Sequence, residues 1–155
     1  MSLNIGLDLC DDYISGYLHE DKLLLSAPAV VCREKKDDLW YIGEEAYRLA
    51  LSGKGVLTDK LLSLLKKGGT STVMRKAYTA KQLISRLIAA MLWQLTNGAS
   101  ADSIDRLVIA LRSAEKSEMD VIAEAAADAG VRKEAICIIS HSDAFVYYTL
   151  SQSKE

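Results

Sequence analysis

Residues Asn4-Ile5-Gly6-Leu7-Asp8-Leu9 alternate between polar or small and apolar side chains, a period of two that suits a half-buried strand and not a helix. In that strand Asp8 lies near the end and points opposite to Ile5, Leu7 and Leu9. The acidic turn Cys10-Asp11-Asp12 is short enough to return the chain antiparallel through Tyr13 to His19. After the polar break Glu20-Asp21, a third apolar run covers Lys22 to Cys32. Its segment Ser26 to Val31 holds the only proline, which cannot donate to a ladder, so this run belongs at a sheet edge. An antiparallel meander therefore opens the chain.

The remainder changes period. Leu39 to Ile42 reads as a short strand, and Gly43-Glu44-Glu45-Ala46 opens a helix to about Ser52 with its acids in the favourable first turn. Leucines at 61, 62, 64 and 65 predict a short amphipathic helix over Thr58 to Lys66. The stretch Lys66 to Thr72 has the glycines and hydroxyls of a phosphate loop without its G-x-x-x-x-G-K-[ST] order, so a surface loop is expected there. Thr79 to Thr96 is the clearest helix, with Leu83, Ile84, Leu87, Ile88, Met91, Leu92 and Leu95 on one stripe and Asn97-Gly98 as its stop.

Leu107 to Leu111 is a continuous apolar run, as in a strand covered on both faces. Ser117 with Asp120 imitates a capping box for a helix that Gly130 ends. Ala135 to Ile139 supplies a further buried strand, and Asp143 to Ser151 a last helix. Strand, helix, strand at this spacing is a right-handed parallel crossover. The expected fold is α/β: one domain over residues 1–155, a five-stranded mixed sheet of antiparallel meander and then parallel crossovers, with helices on its faces.

Length and composition narrow the function. A chain of 155 residues, half of them apolar, suits one domain with a real core. A formal charge of −2 with scattered cations gives no reason to expect nucleic acid or an anionic membrane surface. No apolar run approaches a bilayer span, and the start lacks the pattern of a signal peptide. Three cysteines without metal-ligand spacing, an odd number, point to a reducing, cytoplasmic setting.

Ordered motifs along essentially the whole chain resemble the first domain of the actin-like ATPases, the superfamily of bacterial rod-shape actins and the heat-shock chaperone ATPase domain. These motifs are Ile5-Gly6-Leu7-Asp8-Leu9 with its turn, Ser26 to Val31 followed by Ile42-Gly43-Glu44-Glu45-Ala46, and Ser117-x-x-Asp120. The succession continues with Ala125 to Gly130 and with Ile138-Ile139-Ser140-His141-Ser142-Asp143-Ala144. The resemblance implies the ribonuclease-H-like half of an actin fold. It also implies a fragment of a longer parent, in which a second actin-like domain completes a Mg-ATP cleft. Asp8 matches the acid that helps hold the metal's water shell, so Asp8, through water, is the candidate metal contact, with Cys10, Asp11, Asp12 and His141 as further candidates for contact with nucleotide or metal.

Departures from the pattern fall where nucleotide chemistry would be. Cys10-Asp11-Asp12 stands where the family has glycine with a hydroxyl residue, and His141-Ser142 where it has Glu-Pro; Arg112-Ser113 replaces an expected proline. The expectation is thus a degenerate nucleotide-binding or scaffold domain, a pseudo-ATPase with no catalytic residue, activity or cofactor alone. The alternatives are half of an active Mg-ATP-dependent ATPase or small-molecule kinase, and a structural module that self-associates or binds a protein partner. The bland reading of Asp8 is a solvated strand-end carboxylate, and that of Ser140 or Ser142 is a helix cap. The letters Ser140-His141-Ser142-Asp143 do not make a hydrolase triad, which needs residues from separated segments.

Overall fold

The computed structural model describes residues 2–19, 22–112 and 115–143. Strand β1 (Asn4–Leu9) is the centre of a five-stranded sheet. It pairs antiparallel with β2 (Tyr13–Leu18), which pairs antiparallel with the edge strand β3 (Leu23–Pro28). Across β1's other side, β9 (Arg106–Leu111) and then β10 (Ile136–Ser140) run parallel to it. The spatial order is β10-β9-β1-β2-β3, the mixed sheet that the hydrophobic pattern predicts.

Helices α3 (Ala80–Leu95) and α4 (Lys116–Asp128) pack on each other and against this sheet. All seven residues of the α3 stripe are buried, against the inward Ile5, Leu7, Leu9, Ile14, Leu107 and Ile109. Thr79 starts α3 with a reciprocal capping box: its hydroxyl accepts from the Gln82 amide while the Gln82 side chain accepts from the Thr79 amide. The helix approaches the sheet closely at Gly16, where a Cβ would meet Leu95 Cδ1 at 2.5 Å.

Between β3 and α3 the chain builds a small lobe. The third apolar run is two strands, because a tight turn, in which the Val30 N–H donates a hydrogen bond to the Pro28 carbonyl at 2.9 Å, bends the chain out of the first sheet. It continues as β4 (Val31–Glu34), flanked antiparallel by β5 (Trp40–Ile42) and β6 (Gly55–Thr58). Helix α1 (Gly43–Leu51) covers this sheet, its first residue a glycine at φ +64° packed on Ala27 of β3. Then come α2 (Leu61–Lys66) and a hairpin of β7 (Thr70–Val73) and β8 (Lys76–Thr79); of the surface loop expected over Lys66 to Thr72, residues 67–69 are turn and irregular chain while Thr70 to Thr72 belong to β7.

Two further expectations are corrected. Leu107–Leu111 is buried on alternate residues only, and Cys137 in β10 is exposed, because α3 and α4 cover one face of the sheet. Ser117 lies inside α4 rather than capping it: the N-cap is Glu115, with no side-chain cap bond. Residues 141–143 are helical, and the rest of the expected Asp143 to Ser151 helix lies outside the described residues. Among the described residues no helix is long and apolar enough to cross a membrane.

Candidate functional site

Parallel strands end on the same side of a sheet, so the C-terminal ends of β1, β9 and β10 bring residues from the whole chain to one rim. Asp8 faces away from the helices, flanked in register by the small Ser15 of β2 and Ala110 of β9, which leave its carboxylate room. His141, 133 residues later and directly after β10, places Nε2 2.5 Å from Asp8 Oδ1. The Tyr13 hydroxyl, at the start of β2, donates to Asp8 Oδ2 at 3.3 Å. Asp8 is thus not a merely solvated carboxylate: each oxygen has a protein partner, although the side chain is 39% exposed. The negative charge of Asp8, foremost, raises the pKa of the Tyr13 phenol, with desolvation and the neighbouring Cys10 adding to it.

The turn itself is closed. The Cys10 amide donates to the Tyr13 carbonyl at 3.0 Å, and the Asp12 carbonyl accepts from Ala29 at 3.2 Å. Asp11 turns the other way from Asp8. Its carboxylate accepts from the Ser63 amide at 3.0 Å and from the Ser63 hydroxyl, in the first turn of α2. The residue before that helix, Lys60, is left-handed and offers no side-chain cap, so Asp11 supplies one from a distance. Burial alone would raise the Asp11 pKa, but the hydrogen bonds from Ser63 and the Leu62 amide, with the Lys60 charge, outweigh it and hold the carboxyl below its ordinary value.

Beside the turn lies a cavity of about 240 Å³ whose lining includes Cys10, Asp11 and Asp12 together with Lys60, Lys66 and Arg112. The five sequence candidates therefore divide. Asp8 and His141 form one cluster with Tyr13, while Cys10, Asp11 and Asp12 border the cavity. Sequence reasoning missed Tyr13, although it stands two residues along β2 from Ser15, the partner of Asp8. It also missed Ser63, Lys60 and Lys66, which no local pattern connects to the turn, whereas Arg112 enters the sequence analysis only as standing for an expected proline. Ser140 Oγ accepts from the Asp143 amide at 3.1 Å, the expected cap. Among the described residues no three His, Cys, Asp or Glu side chains are grouped to hold a metal ion.

Residues 14–155 match a family described as "Family of unknown function (DUF5716) C-terminal". The chain belongs to this DUF5716 family. No curated protein matches the sequence. Among solved structures, this DUF5716 domain is similar to a non-polymerising MamK mutant bound to AMPPNP, with a TM-score of 0.62 and 11% identity over 90% of this chain and 41% of that one. It is also similar to MreB5 of Spiroplasma citri bound to ADP, with a TM-score of 0.59 and 14% identity over 89% of this chain and 38% of that one. At these identities the likeness is one of fold, and the fold is actin-like. The chain spans about two fifths of the length of either structure.

Proposed function

We propose that this DUF5716 domain is a degenerate actin-like half, a scaffold that has given up nucleotide chemistry and has no activity alone. The observation that carries this reading is the Asp8 carboxylate, with one oxygen on His141 and the other on Tyr13. A magnesium triphosphate fits these residues poorly. The Cys10 amide is already bonded within the turn, and Asp11 and Asp12 add negative charge where phosphates would approach. One like-charge contact at 4 Å costs about 4 kcal/mol at an effective dielectric of 20.

A second reading, half of an active Mg-ATP-dependent ATPase or kinase, draws on Lys60, Lys66 and Arg112 around the cavity beside the turn. It draws too on the nucleotides named with the MamK and MreB5 structures. Calorimetry with Mg-ATP separates the two, using this chain and the longest native protein that contains it, each beside its Asp8→Ala form. The scaffold reading expects no saturable heat at millimolar nucleotide from folded protein. Saturable binding by the parent that weakens on Asp8→Ala would overturn it in favour of the ATPase.

A further inference from the structure

Both tryptophans of the chain, Trp40 and Trp93, line one groove of about 500 Å³. It runs between the β5–α1 junction, which contributes Trp40, Tyr41, Glu44 and Glu45, and the C-terminal half of α3, which contributes Trp93 and Gln94. Its volume is in the range that holds one or two large side chains. Trp93 is 64% exposed, with Gly98 close to its indole, so most of the ring is open to a ligand.

Charge decides what suits this groove. No lysine or arginine lines it, while Glu44 and Glu45 are exposed and form no ion pair among the described residues. Carboxylates beside aromatic faces attract cations, both through the ring quadrupole and directly. The molecule already shows this chemistry at one of these rings: Arg86 Cζ lies 4.4 Å from the Trp40 ring centroid. An anionic ligand would meet two carboxylates, and a purely apolar one would desolvate them without compensation.

We propose that this groove docks a basic segment of a partner protein, its arginine or lysine side chain lying against the exposed Trp93 indole, since Arg86 already covers Trp40, with its charge met by Glu44 and Glu45. The proposal is independent of whether nucleotide binds beside the Cys10-Asp11-Asp12 turn, which shares no lining residue with the groove. Since the groove holds every tryptophan, intrinsic fluorescence reports its occupancy directly. The probe is a capped hexapeptide of alternating arginine and leucine, titrated into the full chain. The expected result is saturable binding, seen as a fluorescence change and as heat in calorimetry, that Trp93→Ala abolishes in calorimetry and that Glu44→Gln with Glu45→Gln weakens about ten-fold. The control pair Asp59→Asn with Asp120→Asn, which removes the same charge elsewhere on the surface, should leave affinity within about two-fold. Three results would overturn the proposal. One is no saturable change with protein that circular dichroism shows to be folded. Another is equal weakening by the control pair, which would make the attraction a general field. The third is concentration-dependent dimerisation that Trp93→Ala abolishes, which would make a second copy of this chain the occupant.

Discussion

Asp11 sits in the turn where the actin-like resemblance looks for phosphate contacts, yet its carboxylate is committed to a helix start 52 residues away. Its role is legible from that partner alone: α2 has no cap of its own, and an uncapped N-terminus leaves amides unsatisfied. Asp11→Ala is therefore expected to destabilise the fold by about 1 kcal/mol, the usual worth of a cap, measured by urea unfolding near neutral pH. The sign of its pH dependence follows from the lowered pKa. The carboxyl is held below its ordinary value of 3.8, so its contribution is present above that value and lost as pH falls through the folded pKa. Wild type and Asp11→Ala should accordingly converge in stability in acid. A gap that persisted well below that pH would mean that the ionised form is not what caps the helix. Cys32 behaves oppositely: burial pushes its thiol pKa up, in keeping with an inert packing residue.

The elements differ in how openly their sequences announce them. The stripe of α3 and the alternation of β1 are long enough to repeat their period, and both lie where the pattern puts them. The β7–β8 hairpin escapes such reading because its two-residue turn is Met74-Arg75, at φ +52° and +67°. Both central residues are left-handed, a type I′ geometry that sequence usually signals with Asn-Gly. The turn is thus held by the pairing and packing around it, Val73 and Tyr78 being buried in the main core. Replacing Met74-Arg75 with Asn-Gly should relieve that strain and raise stability by about 0.5–1 kcal/mol, visible as a higher melting temperature. A lower melting temperature would show that Met74, itself 39% exposed, contributes more through packing than its backbone costs.

At the scale of the molecule, the small lobe is not independent of the sheet. Val31, Ile42, Leu61, Val73 and Tyr78 belong to the same buried cluster as Leu7, Leu87 and Ile109. Trp40 and Tyr78 meet edge to face at 5.1 Å, with Arg86 of α3 stacked on Trp40. A shared cluster that takes in both parts, beside a smaller one of Val30, Cys32 and Ala46 under α1, implies one cooperative transition, so Val73→Ala should lower the midpoint of global unfolding by the cost of a small core cavity, about 1–3 kcal/mol. Far-ultraviolet dichroism and tryptophan fluorescence should report the same shifted midpoint, and two separated transitions would refute the shared core. Hydrophobic patterning by itself determined the five-stranded mixed sheet and the stripe that packs on it, because burial writes alternation, an unbroken apolar run or a period of 3.6 into neighbouring residues. Only the tertiary structure decided the site. His141 reaches Asp8 because parallel strands end on one rim, and Ser63 reaches Asp11 because the small lobe folds back on the turn. Contacts of that kind join residues far apart in the chain, where no local pattern can record them.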